Sequence, residues 1–343
     1  MPVFNSSIEK LFLGKMNFGP APILDLLGGF SFYAVTSAVE LKLFEILNVK
    51  EMSSIEIAQA VDCDARGLDT LLELLETLGY LKNKKNMYSL TRMTRKWMLP
   101  SSSVNFSDGF LYYSKTMVDC WPYITASMKK GDAHIYFYEW LKDKPDTAAS
   151  FQKFMMSLAL LMIPELLKKI KLTNESILDI GGSHGLYSIA LCRSNPDITV
   201  TIIDSEYAMP LLRNNIKEAG MEHRIKLITG DFMENSSKIK YDRILLFNVL
   251  HEHKEAYNIE LLSRIRGTLN SKGSLIILDG MREKKISRLA DLATRMYSLM
   301  FFHFLGGQNY SFKEISMWLK SAGFSQIKRK ELYKSGFSLI IGE

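Results

Sequence analysis

The amino-acid sequence predicts an α/β protein in which a parallel, Rossmann-like sheet forms the C-terminal half and a helical module with a small hairpin precedes it. One observation is a short apolar run, Ile177–Ile180, followed by a glycine-rich turn and then by residues at helical spacing. Another is the alternation of apolar runs with amphipathic stretches from there onward, which indicates parallel strands connected by helices. The third is the order helix, turn, helix and hairpin between Ser53 and Leu90, which is typical of a winged helix.

Length and composition indicate a globular protein of two domains. The chain has 343 residues, of which 47% are hydrophobic and 23% are charged, and its net charge of +6 is spread over short lysine-rich stretches. The three cysteines, Cys63, Cys120 and Cys192, are far apart, which favours reduced thiols in a cytoplasmic protein over a disulfide framework or a zinc site. Neither a secretory signal nor a run of ~20 apolar residues is evident, so we expect no membrane span.

The N-terminal elements follow from capping and helix-breaking residues. Pro20–Leu47 is apolar on more than one face, which predicts a single helix buried against a partner chain. Ser53–Glu56 is a capping box that opens the next helix. A further helix, Arg66–Leu78, ends at Gly79, and a hairpin follows with its turn over Lys82–Asn86.

The winged-helix pattern leaves two functions open, DNA binding and protein interaction. A recognition helix needs basic or amide side chains on its outer face to contact phosphates and bases. The second helix here starts with Arg66 but continues with Asp69, Glu73 and Glu76, which would repel phosphates. We therefore expect an interaction module and no nucleic-acid partner, and a ligand-sensing DNA-binding regulator is the alternative of another class.

The middle of the chain is expected to be helical and rich in aromatic residues. Phe106–Lys130 is predicted as one helix that Gly131 ends, and a turn over Lys142–Asp146 precedes a long helix, Phe151–Ile170. The apolar residues of this last helix fit an element that packs between others. Its methionines are adaptable enough to line a site for an apolar ligand.

Five apolar runs supply the predicted parallel strands, and two clear helices lie among them. The runs start at Ile177, Ile198, Ile225, Arg243 and Ser274, and the helices are Met209–Ala219 and Ala256–Leu269. Two further strands follow, Gln326–Tyr333 and Phe337–Gly342, joined by Lys334–Gly336. Together these elements predict a sheet with helices on both faces.

Acidic residues lie at the ends of three successive predicted strands. Asp179 is in the first, Asp204 follows 25 residues later (204 − 179), and Asp231 comes behind Gly230 after the third. The carboxyl ends of parallel strands share one edge of a sheet, where a carboxylate can accept hydrogen bonds from a ribose diol. With the glycine turn, where a ligand can approach the main chain closely, they predict a nucleotide-like cofactor. A tight turn without a ligand is the alternative.

These motifs resemble those of a known family. Ile177–Gly185, Asp204 and Gly230–Phe232 resemble the motifs of class I S-adenosylmethionine-dependent methyltransferases. Asn248–His253, followed by a helix, is similar to the Leu-His-Asp-Trp segment of the small-molecule O-methyltransferases, a group that includes plant phenolic and bacterial natural-product enzymes. The resemblance covers most of the chain, because the winged-helix part fits as well.

The resemblance implies a fold and a division of the chain. It implies a seven-stranded sheet, closed by the C-terminal hairpin, in a catalytic domain over residues 172–343. It also implies a winged-helix dimerisation domain over 1–105, through which the protein forms a homodimer. The helical linker over 106–171 is then expected to contribute to the pocket of a small-molecule acceptor.

S-adenosylmethionine is the cofactor that the resemblance implies, and the matching positions define its site. Asp179 and the glycines of the turn would cradle it, Asp204 would hold the ribose, and Asp231 and Phe232 would frame the adenine. The cradle glycines are Gly181, Gly182 and Gly185.

Three residues at the implied cofactor site depart from the family's pattern. Ser183 stands where the family often has a third glycine, which is tolerable if its φ stays negative. Glu252 and His253 replace the family's Asp and Trp, and His253 is expected to stack in the adenine pocket instead of that Trp.

His251 is the residue that the resemblance identifies as general base. A hydroxyl acceptor must lose its proton during methyl transfer, and a histidine suits this task near neutral pH. Asp279 matches a family Glu that holds the second ring nitrogen, and Asn309 matches a second such Glu, although an amide carries no charge. A structural histidine at a strand end is the alternative.

The implied acceptor is small, mostly apolar and aromatic. Phe154 and Met155 match substrate-facing positions of the family, and Met300 and His303 lie in the apolar stretch Met296–Leu305. No ligand set for a metal is evident, so metal-independent chemistry is expected. We expect methyl transfer to an oxygen, and the alternatives are transfer to carbon or nitrogen, or another reaction on the same fold.

Overall fold

The computed structural model describes residues 22–234, 239–283, 288–332 and 336–343, and the chain divides into two compact units. The N-terminal unit comprises the chain up to Asp119 together with Lys144–Ser157. The C-terminal unit comprises Cys120–Asp143 together with Leu158–Glu343. The predicted α/β class with its seven-stranded sheet is confirmed. The domain boundaries near 105 and 171 stay predictions.

Helices α1 to α14 lie within these ranges and follow one another in chain order. They are α1 Ile23–Glu40, α2 Leu43–Val49, α3 Ser54–Ala60, α4 Ala65–Thr77, α5 Arg92–Trp97, α6 Ser107–Asp119, α7 Ile124–Lys130, α8 Phe137–Leu141, α9 Pro145–Lys169, α10 Leu186–Ser194, α11 Met209–Glu218, α12 Glu255–Thr268, α13 Arg288–Leu305 and α14 Phe312–Ser321. Short 3₁₀ turns lie at Trp121–Tyr123 and Leu250–Glu252.

The strands form two sheets. They are β1 Leu81–Lys84, β2 Met87–Leu90, β3 Ser176–Ile180, β4 Thr199–Asp204, β5 Ile225–Thr229, β6 Tyr241–Phe247, β7 Leu269–Gly280, β8 Ile327–Leu332 and β9 Phe337–Gly342. β1 and β2 make an antiparallel hairpin, and the other strands make one sheet in the order β5-β4-β3-β6-β7-β9-β8.

The N-terminal unit has the predicted winged-helix order. The capping box is present, because the Ser53 hydroxyl accepts from the Glu56 N–H and the Glu56 carboxylate accepts from the Ser53 N–H at 2.7 Å. The hairpin turn was predicted too long. It consists of Lys85 and Asn86 alone, both with positive φ, as the tight turns that match strand twist require.

The predicted helix over 20–47 is two helices. Lys42, with a φ of 56°, leaves the right-handed helical region and separates α1 from α2; Pro20 lies outside the described residues. Along α1, Val35 is buried whereas Leu26 and Phe30 are 65% and 70% exposed in this chain. One face of α1 is therefore apolar and open, as expected of a helix that a partner chain covers.

The aromatic middle of the chain differs from the prediction in two places. The expected helix over Phe106–Lys130 is broken into α6 and α7 by a 3₁₀ turn that contains Pro122, which has no N–H to continue an α-helix. The long helix α9 starts earlier than expected, because Pro145 occupies its first turn, where a proline needs no hydrogen-bond donor.

Helices α1 and α9 are long and apolar enough to cross a bilayer, judged by length and composition alone. Core helices of soluble proteins pass the same test, so this observation is weak evidence. The expectation of no membrane span stays a prediction.

The large sheet combines a parallel part with an antiparallel edge. β3 pairs in parallel with β4 and β6, β4 with β5, and β6 with β7, whereas β9 runs antiparallel between β7 and β8. The predicted C-terminal hairpin is therefore present; Lys334 of its connection lies outside the described residues. Neighbouring residues such as Leu245 and Leu246 belong to different hydrophobic clusters, because successive side chains point to opposite faces. The parallel strand ends thus share one edge.

Two isoleucines of α3 give a matched test of the N-terminal core. Ile57 is fully buried, whereas Ile55 on the same helix is 62% exposed. We expect Ile57→Ala to lower the free energy of unfolding by ~2–5 kcal/mol, because it leaves a cavity. Ile55→Ala should change it by less than ~0.5 kcal/mol. Urea denaturation of both variants checks this, and equal losses would contradict the described packing.

Candidate active site

The first two parallel strands are joined at their ends by hydrogen bonds. The Gly181 N–H donates to the Ile203 carbonyl at 2.9 Å, and the Ser183 N–H donates to the Asp204 carboxylate at 2.7 Å. The condition that φ of Ser183 stay negative is not met, because φ is 50°. This left-handed conformation is strained for a residue with a side chain, and the bond to Asp204 helps to hold it.

Asp179 is enclosed under the glycine turn. Its carboxylate is 2% exposed and accepts a 2.5 Å hydrogen bond from the Ser188 hydroxyl. A Cβ at Gly182 would lie 2.5 Å from the Ile202 side chain and 2.9 Å from the Asp179 carboxylate, so only glycine fits there. Burial raises the pKa of Asp179 to about 7; the Ser188 bond lowers it and the Asp204 charge raises it further. Asp179 therefore organises the turn from inside.

Asp204 is placed to bind a polar ligand at the end of β4. Its two oxygens accept N–H groups of Ser183 and Ser205, each at 2.7 Å. Its Oδ1 also accepts the Ser205 hydroxyl at 3.3 Å. A carboxylate has about four lone-pair positions, so these bonds leave room for a hydroxyl of a ligand. Burial raises the pKa of Asp204, whereas the hydrogen bonds from Ser183 and Ser205 lower it.

The third strand end lies beside Asp204 and is more open. The Gly230 N–H donates to the Asp204 carbonyl at 2.9 Å, which joins β5 to β4 at this edge. Asp231 is exposed; its carboxylate accepts the Met233 N–H at 2.8 Å and its carbonyl accepts the Glu234 N–H at 3.2 Å. Phe232 packs on the hydrophobic cluster of the sheet.

His253 forms an aromatic pair in the same part of the site. Its ring stacks on Tyr257 with centroids 4.1 Å apart. Burial and the neighbouring His251 hold the pKa of His253 at about 4, and the Asp231 charge opposes them. The imidazole is therefore neutral at pH 7, as a stacking surface for a base would be.

His251 lies on the 3₁₀ turn after β6 and contacts the end of β7. Its Nδ1 is 2.7 Å from the Asp279 carboxylate, which also accepts the Gly280 N–H at 2.7 Å. Burial disfavours the imidazolium, but the charge and hydrogen bond of Asp279 outweigh it and raise the pKa of His251. The predicted pairing of this histidine with Asp279 is what the geometry shows.

The second ring nitrogen of His251 stays available. The imidazole stacks on Phe301 of α13 with centroids 3.8 Å apart and planes 15° from parallel. No hydrogen bond to Nε2 is found within the described ranges. One nitrogen is thus held by a carboxylate and the ring is held by an aromatic face, while the other nitrogen can meet a ligand.

Glu252, the next residue, adds a second titrating group. Its carboxylate accepts a 2.9 Å hydrogen bond from the Tyr138 hydroxyl. Burial raises the pKa of Glu252 to about 7; the His251 charge and the Tyr138 bond lower it, and the charges of Asp204 and Asp279 raise it. This carboxylate therefore lies within electrostatic range of both strand-end acids.

Asn309 makes its contacts with α13. Its amide donates to the Thr294 carbonyl at 3.1 Å, and its own N–H donates to the Ser298 hydroxyl at 3.1 Å. The Asn309 Oδ1 is buried near Gly280 and has no partner in the described part of the chain. No bond joins Asn309 to His251 there, and its expected action on the imidazole stays a prediction.

The residues expected to bind the acceptor fall into two groups. His303 is fully buried, with Nδ1 2.8 Å from the Ser127 hydroxyl and Nε2 3.0 Å from the Cys120 carbonyl, so it ties α13 to the start of the C-terminal unit. Met300 is half-buried on the same helix. The geometry favours a structural role for His303.

Phe154 and Met155 belong to the N-terminal unit. Phe154 packs against Gly109, where a Cβ would lie 2.7 Å from the Phe154 ring. The Phe154 ring also meets the rings of Phe106 and Tyr113 edge-on, with centroids 5.7 Å apart in each pair. Contact of Phe154 and Met155 with an acceptor stays a prediction.

Sequence reasoning missed Phe301 and Tyr138 as parts of this edge. Each contacts the His251 turn from an element distant in sequence, so no local pattern marks it. Gly307 is a further residue that sequence reasoning did not assign to this edge. A Cβ there would overlap the main chain of His251 and His253, so Gly307 is required for close packing.

Comparison with known families identifies the chain. Residues 123–325 match the model of the O-methyltransferase domain, and residues 24–100 match that of the O-methyltransferase dimerisation domain. The chain belongs to the O-methyltransferase family. The resemblance inferred from the motifs is confirmed, and this methyltransferase uses S-adenosylmethionine to methylate small molecules.

Relatives of this methyltransferase act at different atoms. It is 23% identical over 94% of both chains to 3-hydroxy-5-methyl-1-naphthoate 3-O-methyltransferase of Streptomyces sahachiroi. It is 26% identical to L-tyrosine C(3)-methyltransferase of Streptomyces lavendulae, over 88% of this chain and 85% of that one. It is 23% identical to phenazine-1-carboxylate N-methyltransferase of Pseudomonas aeruginosa, over 84% of this chain and 86% of that one.

A solved structure supports the fold. The structure of PigF with SAH superposes with a TM-score of 0.85 at 23% identity, over 94% of this chain and 98% of that one. No group of three or more His, Cys, Asp or Glu residues converges as a metal site within the described residues of this methyltransferase. Its expected independence of metal stays a prediction.

The close approach at Gly307 gives a test of the site's geometry. We expect Gly307→Ala to displace the His251 turn and lower turnover by ~10²-fold, because a shift of about 1 Å can have that effect. Gly267→Ala is the control, since nothing lies within 4 Å of a Cβ there. It should leave turnover unchanged and raise stability by up to ~1 kcal/mol. Steady-state kinetics and thermal unfolding distinguish the two, and normal turnover in Gly307→Ala would contradict the described packing.

Proposed function

We propose that this methyltransferase transfers the methyl group to a hydroxyl oxygen of a small, mostly apolar aromatic molecule, with His251 as general base. The observation that carries the proposal is the His251–Asp279 pair. Nδ1 is held by a carboxylate at 2.7 Å, and Nε2 has no hydrogen-bond partner within the described residues. This is the arrangement in which one nitrogen can take a proton while the other is oriented.

Asp279 sets the tautomer of His251. A carboxylate accepts only, so Nδ1 carries the hydrogen and Nε2 keeps its lone pair. Nε2 then accepts the hydroxyl proton while the acceptor oxygen forms its bond to the methyl carbon. S-adenosylmethionine, when bound, would supply that methyl group, and the electron pair of the methyl–sulfur bond would leave with its sulfur. Asp279 stabilises the resulting imidazolium, as the raised pKa of His251 indicates.

The residues at the strand ends fit S-adenosylmethionine, which supplies an activated methyl group. Asp204 has a lone pair left for a ribose hydroxyl, and the glycine turn brings main chain to the same edge. We assign the base-binding role to Asp231, Phe232 and the neutral, stacked His253. Because the donor is already reactive, positioning is the main task of these residues.

The surroundings of His251 support an aromatic acceptor. Phe301 presents a ring beside the imidazole, and Met300 precedes it on the same helix. An apolar wall with few polar groups favours a flat apolar molecule. We further assign acceptor contacts to Phe154 and Met155, and we propose that the matched dimerisation domain makes the protein a homodimer.

Transfer to nitrogen or carbon is the second candidate. Asn309 carries no charge and bonds to α13, so within the described residues Asp279 is the one hydrogen-bond partner of the His251 imidazole. An amine acceptor needs less help from a base, and relatives that methylate nitrogen and carbon exist. Incubation with S-adenosylmethionine and a panel of phenols, quinones and aryl amines, followed by mass spectrometry and NMR of the products, tests the proposal. Methylation only of amines or carbon would reject the oxygen assignment.

The role of His251 predicts a large kinetic effect. His251→Ala should lower kcat by ~10²–10⁴-fold, because proton removal loses its base. Cofactor affinity, measured by calorimetry, should stay within ~threefold. Turnover close to that of the wild type would show that positioning alone drives the reaction.

The pH dependence of kcat gives a second check on the same pair. The base acts in its neutral form, so kcat should fall as pH drops through the raised pKa of His251. In Asp279→Asn the charge that raises this pKa is removed and burial then lowers it, so the acidic limb should move to lower pH while kcat falls. An unmoved limb would separate His251 from catalysis.

Asp204 is predicted to bind the cofactor. Asp204→Ala should weaken S-adenosylmethionine binding by ~10–100-fold, because charge-assisted hydrogen bonds to the ribose contribute ~1.5–3 kcal/mol. Asp197→Ala, in the exposed turn before the same strand, should leave the dissociation constant unchanged. Isothermal calorimetry of both variants measures this, and equal affinities would remove Asp204 from the site.

A further inference from the structure

Two buried donors hold the turn that carries His251. The Asn258 amide on α12 donates to the Leu250 carbonyl at 2.9 Å and to the His253 carbonyl at 3.2 Å. The Tyr310 hydroxyl donates to the same His253 carbonyl at 2.6 Å. We call Asn258 and Tyr310 the carbonyl clamp. It fixes the main chain one residue before the imidazole and two residues after it.

The orientation of the Asn258 amide is set by its acceptors. The side chain is fully buried, and the opposite orientation would place Oδ1 against two carbonyl oxygens. In the orientation present, Oδ1 has no partner within the described ranges. A buried acceptor without a partner destabilises the fold, so an apolar residue would suit stability better here. The amide supplies two N–H donors to these carbonyls, which an apolar residue could not.

The turn itself has little to hold it in place. It is a single 3₁₀ turn, whose own bonds run from Glu252 N–H to the Val249 carbonyl at 3.0 Å and from His253 N–H to the Leu250 carbonyl at 3.3 Å. It follows Asn248, a non-glycine residue with a φ of 60°. Hydrogen bonds of 3₁₀ turns have poor geometry, and such turns serve as hinges. Outside contacts therefore decide where the imidazole lies.

We propose that Asn258 is a positioning residue for His251, acting through the carbonyls of Leu250 and His253. The clamp keeps Nδ1 at hydrogen-bond distance from Asp279 on β7, and so keeps Nε2 facing the acceptor. This inference rests on the proposed role of His251 as base. It predicts that loss of the Asn258 amide lowers kcat strongly and the stability of the fold only slightly.

Asn195 offers a matched control on the same fold. Its amide also donates to two main-chain carbonyls, those of Leu172 at 2.7 Å and Thr173 at 3.3 Å. It lies before β4, at the edge of the sheet opposite to the strand ends. Asn195→Ala therefore removes the same kind of interaction without touching the His251 turn.

The test uses two single variants, Asn258→Ala and Asn195→Ala. It also uses the double variant that combines Asn258→Ala with His251→Ala. We expect Asn258→Ala to lower kcat by ~10²-fold with KM for S-adenosylmethionine changed less than ~threefold, and to move the acidic limb of kcat to lower pH. Asn195→Ala should keep kcat and its pH profile while losing stability. In the His251→Ala background, Asn258→Ala should cause no further loss of kcat, because both act through one group.

Several outcomes would overturn the inference. Normal kcat in Asn258→Ala beside an inactive His251→Ala rejects the clamp and leaves the proposed base intact. The same fold-loss from Asn258→Ala in both backgrounds shows a general structural effect and also rejects it. Normal turnover in His251→Ala rejects the base and the clamp together. If Asn258→Ala does not fold, Tyr310→Phe keeps the buried ring and removes the second donor. It should lower kcat by ~10-fold, and normal kcat there rejects the clamp.

Discussion

The parallel pairing of β6 with β7 is the constraint on which the rest of the site depends. Phe247 is in register with Leu278, and the Asn248 N–H continues the ladder to the Leu278 carbonyl at 2.8 Å. This register leaves Asp279 at the rim, one residue beyond the last pair, where the His251 turn crosses it. A shift of one residue would turn the Asp279 side chain to the other face of the sheet. The His251–Asp279 pair thus depends on the register of these two strands.

Burial shapes the electrostatics of this edge more than any single charge does. It raises the pKa of Asp179 and of Glu252 to about 7 and lowers that of His253 to about 4, and for His251 alone among these groups a neighbouring carboxylate outweighs it. At pH 7 the carboxyls of Asp179 and Glu252 are therefore partly protonated, whereas the His253 imidazole is neutral.

Much of the fold could be predicted because its signals are local. Adjacent residues define the apolar runs before Asp204 and Asp231. They also define the capping box at Ser53. The break at Pro122 escaped prediction because proline is tolerated at the start of a helical turn, so the pattern on either side continues. The positive φ of Ser183 and the stacking of Phe301 on His251 depend on contacts between distant segments, which no local spacing encodes.

The position of β9 between β7 and β8 affects the order in which the sheet can form. During synthesis β8 leaves the ribosome before β9, yet β8 pairs only with β9 in this sheet. Until the segment Phe337–Gly342 has emerged, β7 presents an unpaired hydrogen-bonding edge beside Asp279, and β8 has no strand to pair with. The nascent protein therefore exposes an unpaired edge of β7 until β9 has been synthesised.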